Sequence, residues 1–331
     1  MYWAQNLIII ISIFVVLYII NKRPPTSLKL KKEMKDNLNG SNYIDVLSEN
    51  IISNIQEINP LKSDYIWTYV EVYDKPKNHP LLYKNYSVIP YFIECIKKMK
   101  QTIPNLIVIT PLNIDYYLPN FPLIMSPESP IPLKKRVDIL FAMIIKHYGG
   151  LCISPGTIVY NIEPFLNQLK RYELITIGNN DLVQNNYENP LYPNNYIIGG
   201  KKNTNFFIEY SRKLMQSTNN QKHFDLYHKS STELLSDVLQ MFYKELDEND
   251  DFHYHFNPDY DGTYDKNMKS LTLDDYLGTY RINFKNSEKL AVITFPYEEL
   301  SKNIEYRWFR TMKDDDFKKS NLEIKRLLMV I

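Results

Sequence analysis

Arg136 to Val159 reads RVDILFAMIIKHYGGLCISPGTIV, and the change of period inside this stretch decides the fold class. Val137, Leu140, Phe141, Ile144 and Ile145 recur at the spacing of one helical face, which predicts a helix from about Leu133 to His147. Gly149 and Gly150 then stop it, and the run LCISPGTIVY reads as a buried strand. Working outward, the same alternation continues on both sides. YIWTYV at Tyr65 to Val70 and NLIVIT at Asn105 to Thr110 read as strands, with a helical pattern from Ile89 to Met99 between them. Downstream come a short helix near Glu163, a strand ELITIG at Glu173 to Gly178 and a strand NYIIGG at Asn195 to Gly200. Helices near Asn205 to Met215 and Ser231 to Leu246, then a late strand AVITFP at Ala291 to Pro296, complete the pattern. Strands alternating with helices predict a layered α/β domain, and no internal repeat is visible.

Composition narrows the class of partner. The chain has 331 residues, 44% hydrophobic and 23% charged, enough for one large domain with its own core. Its 39 basic and 38 acidic side chains leave a net charge of +1, which argues against a general nucleic-acid binder. Two cysteines, Cys95 and Cys152, exclude a disulfide-stapled scaffold and a four-cysteine zinc site. Cys95 falls on an amphipathic helical pattern and Cys152 in an apolar strand, positions more typical of core thiols than of nucleophiles. P-loop, GxGxxG, GxSxG and HExxH patterns are absent from the sequence.

Before the domain, Tyr2 to Ile20 is uncharged and contains LIIIISIFVVLYII, long enough to span a bilayer and led by Tyr2 and Trp3 at an interfacial position. Lys22, Arg23, Lys29, Lys31, Lys32 and Lys35 follow the span and no charge precedes it. The positive-inside rule therefore predicts a single-pass anchor with a cytosolic domain, a lumenal domain being the alternative. The expected organisation is an anchor over residues 1–22, a polar stem over 23–60 and an α/β domain over 61–331.

The stretch from Arg136 to Val159 also resembles the signature of GT-A type glycosyltransferases of the DXD sugar-binding and capsular polysaccharide synthesis group. In that pattern a helix opens with an Asp, carries an Arg three residues later and ends in a Tyr-Gly-Gly turn before a strand that presents a DXD metal-binding pair. Asp138 matches the helix Asp, Tyr148, Gly149 and Gly150 match the turn, and Thr157 to Val159 match the segment beyond the pair. IWTYV at Ile66 to Val70 is similar to the family's opening strand, and NYIIGGKKN at Asn195 to Asn203 to its acceptor-side segment. A weaker echo runs through FNPDYDGTYD and YRWF near the C-terminus, and the Asn-rich loops resemble members carried by large DNA viruses. The resemblance implies a GT-A-like, Rossmann-type mixed sheet flanked by helices. It also implies a hexosyltransferase-type enzyme that takes a nucleotide sugar as donor and a glycan or protein as acceptor. Trp67, Tyr69, Asp138, Gly149, Gly150, Ser154 and Gly156 are the donor-site positions it implies; as strand residues Trp67 and Tyr69 read equally as core, and Asp138 reads equally as a helix N-terminal carboxylate favoured by the dipole.

The departures are specific. The two acidic positions of the DXD pair are Ser154 and Gly156, and the helix Arg is Phe141. A divalent manganese or magnesium ion bridging a diphosphate needs hard oxygen ligands, which neither Ser154 nor Gly156 supplies as a carboxylate. Three readings stay open: basic side chains neutralise the diphosphate, carboxylates elsewhere hold the metal, or catalysis is lost and the protein is a binding or assembly factor. For the first, Lys134, Lys135 and Arg136 open the strongest helix against its dipole, and Lys201 and Lys202 follow Gly199 and Gly200; solvated basic turns are the plainer reading of both. For the second, Asp259 and Asp261 form a literal DXD shortly after His253 and His255, against a plain turn at Asp261-Gly262. Asp314, Asp315 and Asp316 read as an exposed acidic loop.

Overall fold

The computed structural model of the protein describes residues 58, 64–70, 90–110, 113–119, 131–177, 193–219, 224–227, 229–244, 251–256, 258–295, 300 and 303–329. The expected anchor and all of the expected stem except Ile58 lie outside the described residues. Among the described residues no helix is long and apolar enough to cross a membrane.

The first half of the domain runs β1 (Ile66–Tyr69), α1 (Pro90–Thr102), β2 (Leu106–Ile109), α2 (Ile114–Tyr117), α3 (Leu133–Tyr148), β3 (Gly150–Ile153), β4 (Thr157–Val159), α4 (Glu163–Arg171) and β5 (Leu174–Ile177). It continues with β6 (Asn194–Gly200), α5 (Asn205–Gln216), α6 (Phe224–Tyr227), α7 (Ser231–Tyr243) and β7 (His253–Phe256). The remainder is α8 (Leu273–Leu277), β8 (Val292–Thr294), α9 (Arg307–Arg310), α10 (Asp314–Lys319) and α11 (Glu323–Met329).

Among the described residues six strands form one sheet in the order β2-β1-β3-β6-β5-β7, and β4 pairs with β8 in a second, two-stranded sheet. β1 is parallel to β2 and β3, β5 is parallel to β7, and β6 runs antiparallel between β3 and β5. The fold is therefore mixed α/β with helices against the sheet, as the alternating pattern predicts. Strands β1, β2, β3 and β5 are buried at every position, so their near-continuous apolar runs reflect a sheet covered on both faces.

One face carries Trp67, Ile107, Cys152, Ile198 and Leu174, which share a core with Leu140 and Ile144 of α3, Phe207 and Leu214 of α5, and Leu235 and Leu239 of α7. α3 is buried on most of its circumference because it lies between the sheet and α5. On the other face α4 approaches through Phe165, whose ring centre is 4.4 Å from that of Phe256. Each fully buried Leu, Ile or Phe contributes roughly 1.5–3 kcal/mol, so this two-sided burial is what holds short strands together.

The run LCISPGTIVY, expected as one strand, is two strands in two sheets. The break is Ser154-Pro155-Gly156: Pro155 has no N–H for a ladder, and the Thr157 N–H turns back to the Ser154 carbonyl at 3.1 Å. The segment from Asp314 to Asp316, expected as a loop, opens α10 instead, and the carboxylates of Asp315 and Asp316 in its first turn favour the N-terminal end of the dipole. β7 is absent from the sequence reading because it runs HYHF and its first three positions are only half-buried.

Candidate functional site

The carboxyl ends of β1, β2, β3, β5 and β7 point to one edge of the main sheet, the edge at which open α/β sheets bind ligands. Ser154 follows β3 there and is 3% exposed, and its N–H donates to the Tyr196 carbonyl of β6 at 2.8 Å. α3 returns toward the start of β3, so its first turns lie at this same edge. Lys134 Nζ is 2.7 Å from Asp138 Oδ1 and 5.3 Å from the centre of the Tyr196 ring. Ser154, Tyr196, Lys134 and Asp138 thus converge on one end of the β3–β6 pair.

Asp138 is 3% exposed and stands in the second turn of α3, not at its opening as the resemblance implies, because the helix begins at Leu133. Its local partner is Lys134 one turn earlier. Exposed pairs at this spacing contribute about 0.3–0.5 kcal/mol, but breaking a buried pair by removing one member costs about 3–5 kcal/mol. Asp138 is buried and Lys134 is 16% exposed, which puts this pair between those limits.

The basic opening of α3 is not a solvated turn. Arg136 is 1% exposed and its Nε donates to the Ile131 carbonyl at 3.1 Å. Lys135 Nζ donates to the Ser217 carbonyl at 3.1 Å, and burial holds this ammonium below the usual lysine range. Lys134, which sequence reasoning grouped with these two without singling it out, is the one aimed along the edge.

Gly156 lies beside this edge but faces α1. The Tyr91 phenol, fully buried, donates to the Gly156 carbonyl, and a Cβ on Gly156 would meet Phe92 Cε1 at 2.9 Å. Trp67 and Tyr69 are 0% and 1% exposed. Trp67 Nε1 donates to the Gly149 carbonyl at 3.0 Å, and its ring meets Tyr117 and Tyr148 at 5.5 and 5.6 Å. Both side chains are core here and present no surface to a nucleotide.

The Tyr-Gly-Gly turn and the two lysines lie at the opposite edge. Gly150 pairs with Gly200 at the start of β3, and Lys201 N–H donates to the Glu173 carbonyl at 3.0 Å just before β5. Lys201 Nζ donates to the Arg171 carbonyl at 2.9 Å. Gly149, Gly150, Lys201 and Lys202 are therefore separated from Ser154 by the length of β3. Sequence proximity to the motif placed them together; the direction of the strand sets them apart.

The second literal DXD is a turn. Asp261 Oδ1 accepts from the Thr263 N–H at 3.0 Å and from the Thr263 hydroxyl, while Asp259 Oδ1 is paired with Lys285 Nζ at 3.0 Å. Gly262 follows with φ of 65°, the left-handed conformation such a turn needs. His253 and His255 point to the other side of β7 from Phe256 and converge on the Thr176 hydroxyl, His253 Nε2 at 2.7 Å and His255 Nδ1 at 3.0 Å. Among the described residues no group of three or more His, Cys, Asp or Glu side chains stands close enough to hold a metal. The residues present do not fit a divalent ion at Ser154 to Gly156.

No family model and no curated protein matches this chain. Among solved structures it is similar to the galactosyltransferase LgtC in complex with donor and acceptor sugar analogues, at 12% identity and a TM-score of 0.39, over 80% of this chain and 95% of that one. A likeness of that degree assigns no residue a role.

Proposed function

We propose that the protein is a membrane-anchored glycosyltransferase that takes a sugar from a nucleotide-sugar donor to a glycan or protein hydroxyl, without a metal held at the DXD position. What carries the reading is the resemblance of Arg136 to Val159 to the GT-A signature, together with the position of its remnant, Ser154, at the carboxyl edge of a mixed sheet beside Lys134 and Asp138. The chemistry such a site must supply is charge stabilisation of a departing nucleoside diphosphate, with the acceptor oxygen held in line. Lys134 supplies that positive charge, its ammonium held at the edge by the Asp138 carboxylate and the Tyr196 ring. Asp138 is a positioning residue for Lys134. Arg136 adds positive potential from within the helix.

Calorimetric titration of the full chain with UDP- and GDP-sugars, once with manganese and once with EDTA, tests the reading. Binding of equal strength in both conditions supports it, and strict manganese dependence overturns its metal-free form. The rival reading, a non-catalytic binding or assembly protein, is favoured by one observation: neither Ser154 nor Gly156 brings a carboxylate, and Gly156 is turned against Phe92. No binding in either condition removes the transferase reading and leaves the rival.

The anchor and its orientation belong to the same proposal, on the strength of the uncharged Tyr2 to Ile20 run and the lysines after it. Asn39 with Ser41 and Asn85 with Ser87 are glycosylation sequons that report the side of the membrane. A mobility shift on glycosidase treatment of protein made in a eukaryotic host overturns the cytosolic orientation.

A further inference from the structure

A cavity of about 200 Å³ lies between the turn at Asp265 to Lys269, helix α8 and the segment from Gly278 to Asn283. Its wall carries Asp265, Lys266, Asp274, Tyr280, Arg281 and Asn283. Three features of that wall belong together. Tyr280 is 87% exposed, the most exposed large hydrophobic side chain among the described residues, and it stands at the cavity mouth. Single exposed aromatics are ordinary on a surface, but one set beside converging polar groups is the arrangement of a ligand site.

The polar groups are held in place. Asp265 Oδ1 accepts from the N–H groups of Asn267 and Lys269, both at 2.8 Å, and Asp274 Oδ1 accepts from the Tyr306 hydroxyl at 3.0 Å. The second oxygen of each carries no hydrogen bond among the described residues. The side chains of Lys266 and Arg281 likewise make no ion pair or hydrogen bond among the described residues. The cavity therefore offers preset acceptors, uncommitted donors and a flat ring.

Charge selects the ligand. A third carboxylate, Asp275, is paired with Lys269 at 3.1 Å, so two carboxylates are left to balance two cations. A balanced wall of donors and acceptors favours neither anion nor cation. It suits a neutral molecule rich in hydroxyls, each of which donates and accepts, with an apolar face to lie on the ring.

We infer that this cavity binds a neutral pyranose unit of an oligosaccharide, with Tyr280 under the sugar ring and Asp265, Asp274 and Arg281 on its hydroxyls. The location ties it to the sheet edge. Tyr276 of α8 is buried and its ring lies 5.8 Å from Phe295; Phe295 lies 4.8 Å from Tyr91, whose phenol holds the Gly156 carbonyl. Three buried rings therefore link α8, which forms part of the cavity wall, to Gly156. For its role as an acceptor subsite the inference rests on the proposed transfer function; the binding itself does not.

Saturation-transfer NMR on the full chain, with maltohexaose, cellohexaose, chitohexaose and mannohexaose as probes, tests it. At least one hexasaccharide binds, and Tyr280→Ala and Arg281→Gln each weaken it ten-fold or more while leaving thermal unfolding unchanged. Absence of binding to all four, or wild-type affinity in both variants, overturns the inference, as does tighter binding of hexagalacturonate than of the neutral probes. Hexasaccharide binding without nucleotide-sugar binding keeps this site and removes the transferase reading; the converse result keeps the transferase and removes the site.

Discussion

Lys134 Nζ is 2.7 Å from Asp138 Oδ1 and 5.3 Å from the Tyr196 ring centre, so a single ammonium ties helix α3 to strand β6 beside the end of β3. Replacing Asp138 with Asn keeps the shape and removes the charge. We expect this to lower stability by about 1–3 kcal/mol, read as a lower urea midpoint at constant m. We also expect donor affinity to fall about ten-fold in the folded variant, since a charge-assisted phosphate contact loses its positioned ammonium. Lys134→Gln should produce the same loss of affinity. Wild-type donor binding in a folded Asp138→Asn protein would confine the pair to helix stability.

Gly156 cannot simply be returned to the acidic residue of the GT-A pattern. Its Cβ would lie 2.9 Å from Phe92 Cε1 and 3.6 Å from Tyr91 Cε1. Gly156→Ala is expected to cost about 1–3 kcal/mol as an overpacked site, and Phe92→Ala in the same chain should recover part of that cost, a coupling that a double-mutant cycle measures. Manganese affinity is accordingly expected from Ser154→Asp with Gly156→Asp only when Phe92 is also reduced to Ala. Metal binding by the double variant with Phe92 intact would show that the ring yields to the new side chain.

Much of the sheet was legible because its strands are buried on both faces and therefore read as unbroken apolar runs, as in LIVI of β2 and LITI of β5. What the sequence could not show was direction. Gly150 and Ser154 are four positions apart, yet they stand at opposite ends of β3, so a motif compact in sequence is divided between two edges of the sheet. Trp67 and Tyr69 read in sequence either as nucleotide neighbours or as core, since an aromatic in a strand has the same letter in both cases, and burial decides for the core. β7 escaped notice because two histidines interrupt its pattern, and the Thr176 hydroxyl across the ladder, with the Tyr243 phenol on His253, explains their presence in a strand.

Those histidines predict an acid limb in the stability curve. His253 sits between the Tyr243 phenol at 2.6 Å and Thr176 at 2.7 Å, and loss of solvent, with His255 nearby, pushes its pKa down to about 3. His255 is lowered by burial in the same sense. Below the unfolded value of about 6.5 the unfolded chain takes up a proton that the folded chain refuses, so stability is complete above that pH and falls as pH drops toward 3. His253 should contribute a slope of about 1.4 kcal/mol per pH unit through that window. Urea midpoints between pH 7 and 4 measure it, and His253→Gln, which retains partners for both hydroxyls, should flatten the curve. An unchanged slope in that variant would assign the acid sensitivity to other groups.

The two thiols should be inert. Cys95 and Cys152 are both free and fully buried, and burial raises both thiols far above the range in which a thiolate forms at neutral pH. In the native protein neither is expected to react with a disulfide reagent on the timescale that labels both in urea. Fast labelling of Cys152 without denaturant would mean that β3 opens locally, which would also expose the Ser154 edge.

The Tyr-Gly-Gly turn is expected to serve the fold and not the donor. Gly150 has φ of 102°, and a Cβ there would lie 2.1 Å from the Tyr65 carbonyl oxygen and 3.1 Å from Trp67 Nε1. The backbone contact has no side chain that can swing away, because Leu151 N–H is itself bonded to that same Tyr65 carbonyl at 2.8 Å. A side chain at this position must therefore push β1 away from β3, in addition to occupying a conformation that L-residues avoid. Gly150→Ala should cost about 3 kcal/mol or more, equivalent to a fall of roughly 6–12 °C in Tm for a domain of this size. Gly149, with φ of 73° and its carbonyl on Trp67 Nε1, stands before the first residue of β3 and outside the ladder, so Gly149→Ala should cost less. Below its lowered Tm the Gly150→Ala protein should bind a nucleotide sugar as the parent does, because the turn and Ser154 lie at opposite ends of the strand. A donor affinity that falls ten-fold in the folded fraction would return the turn to the binding site.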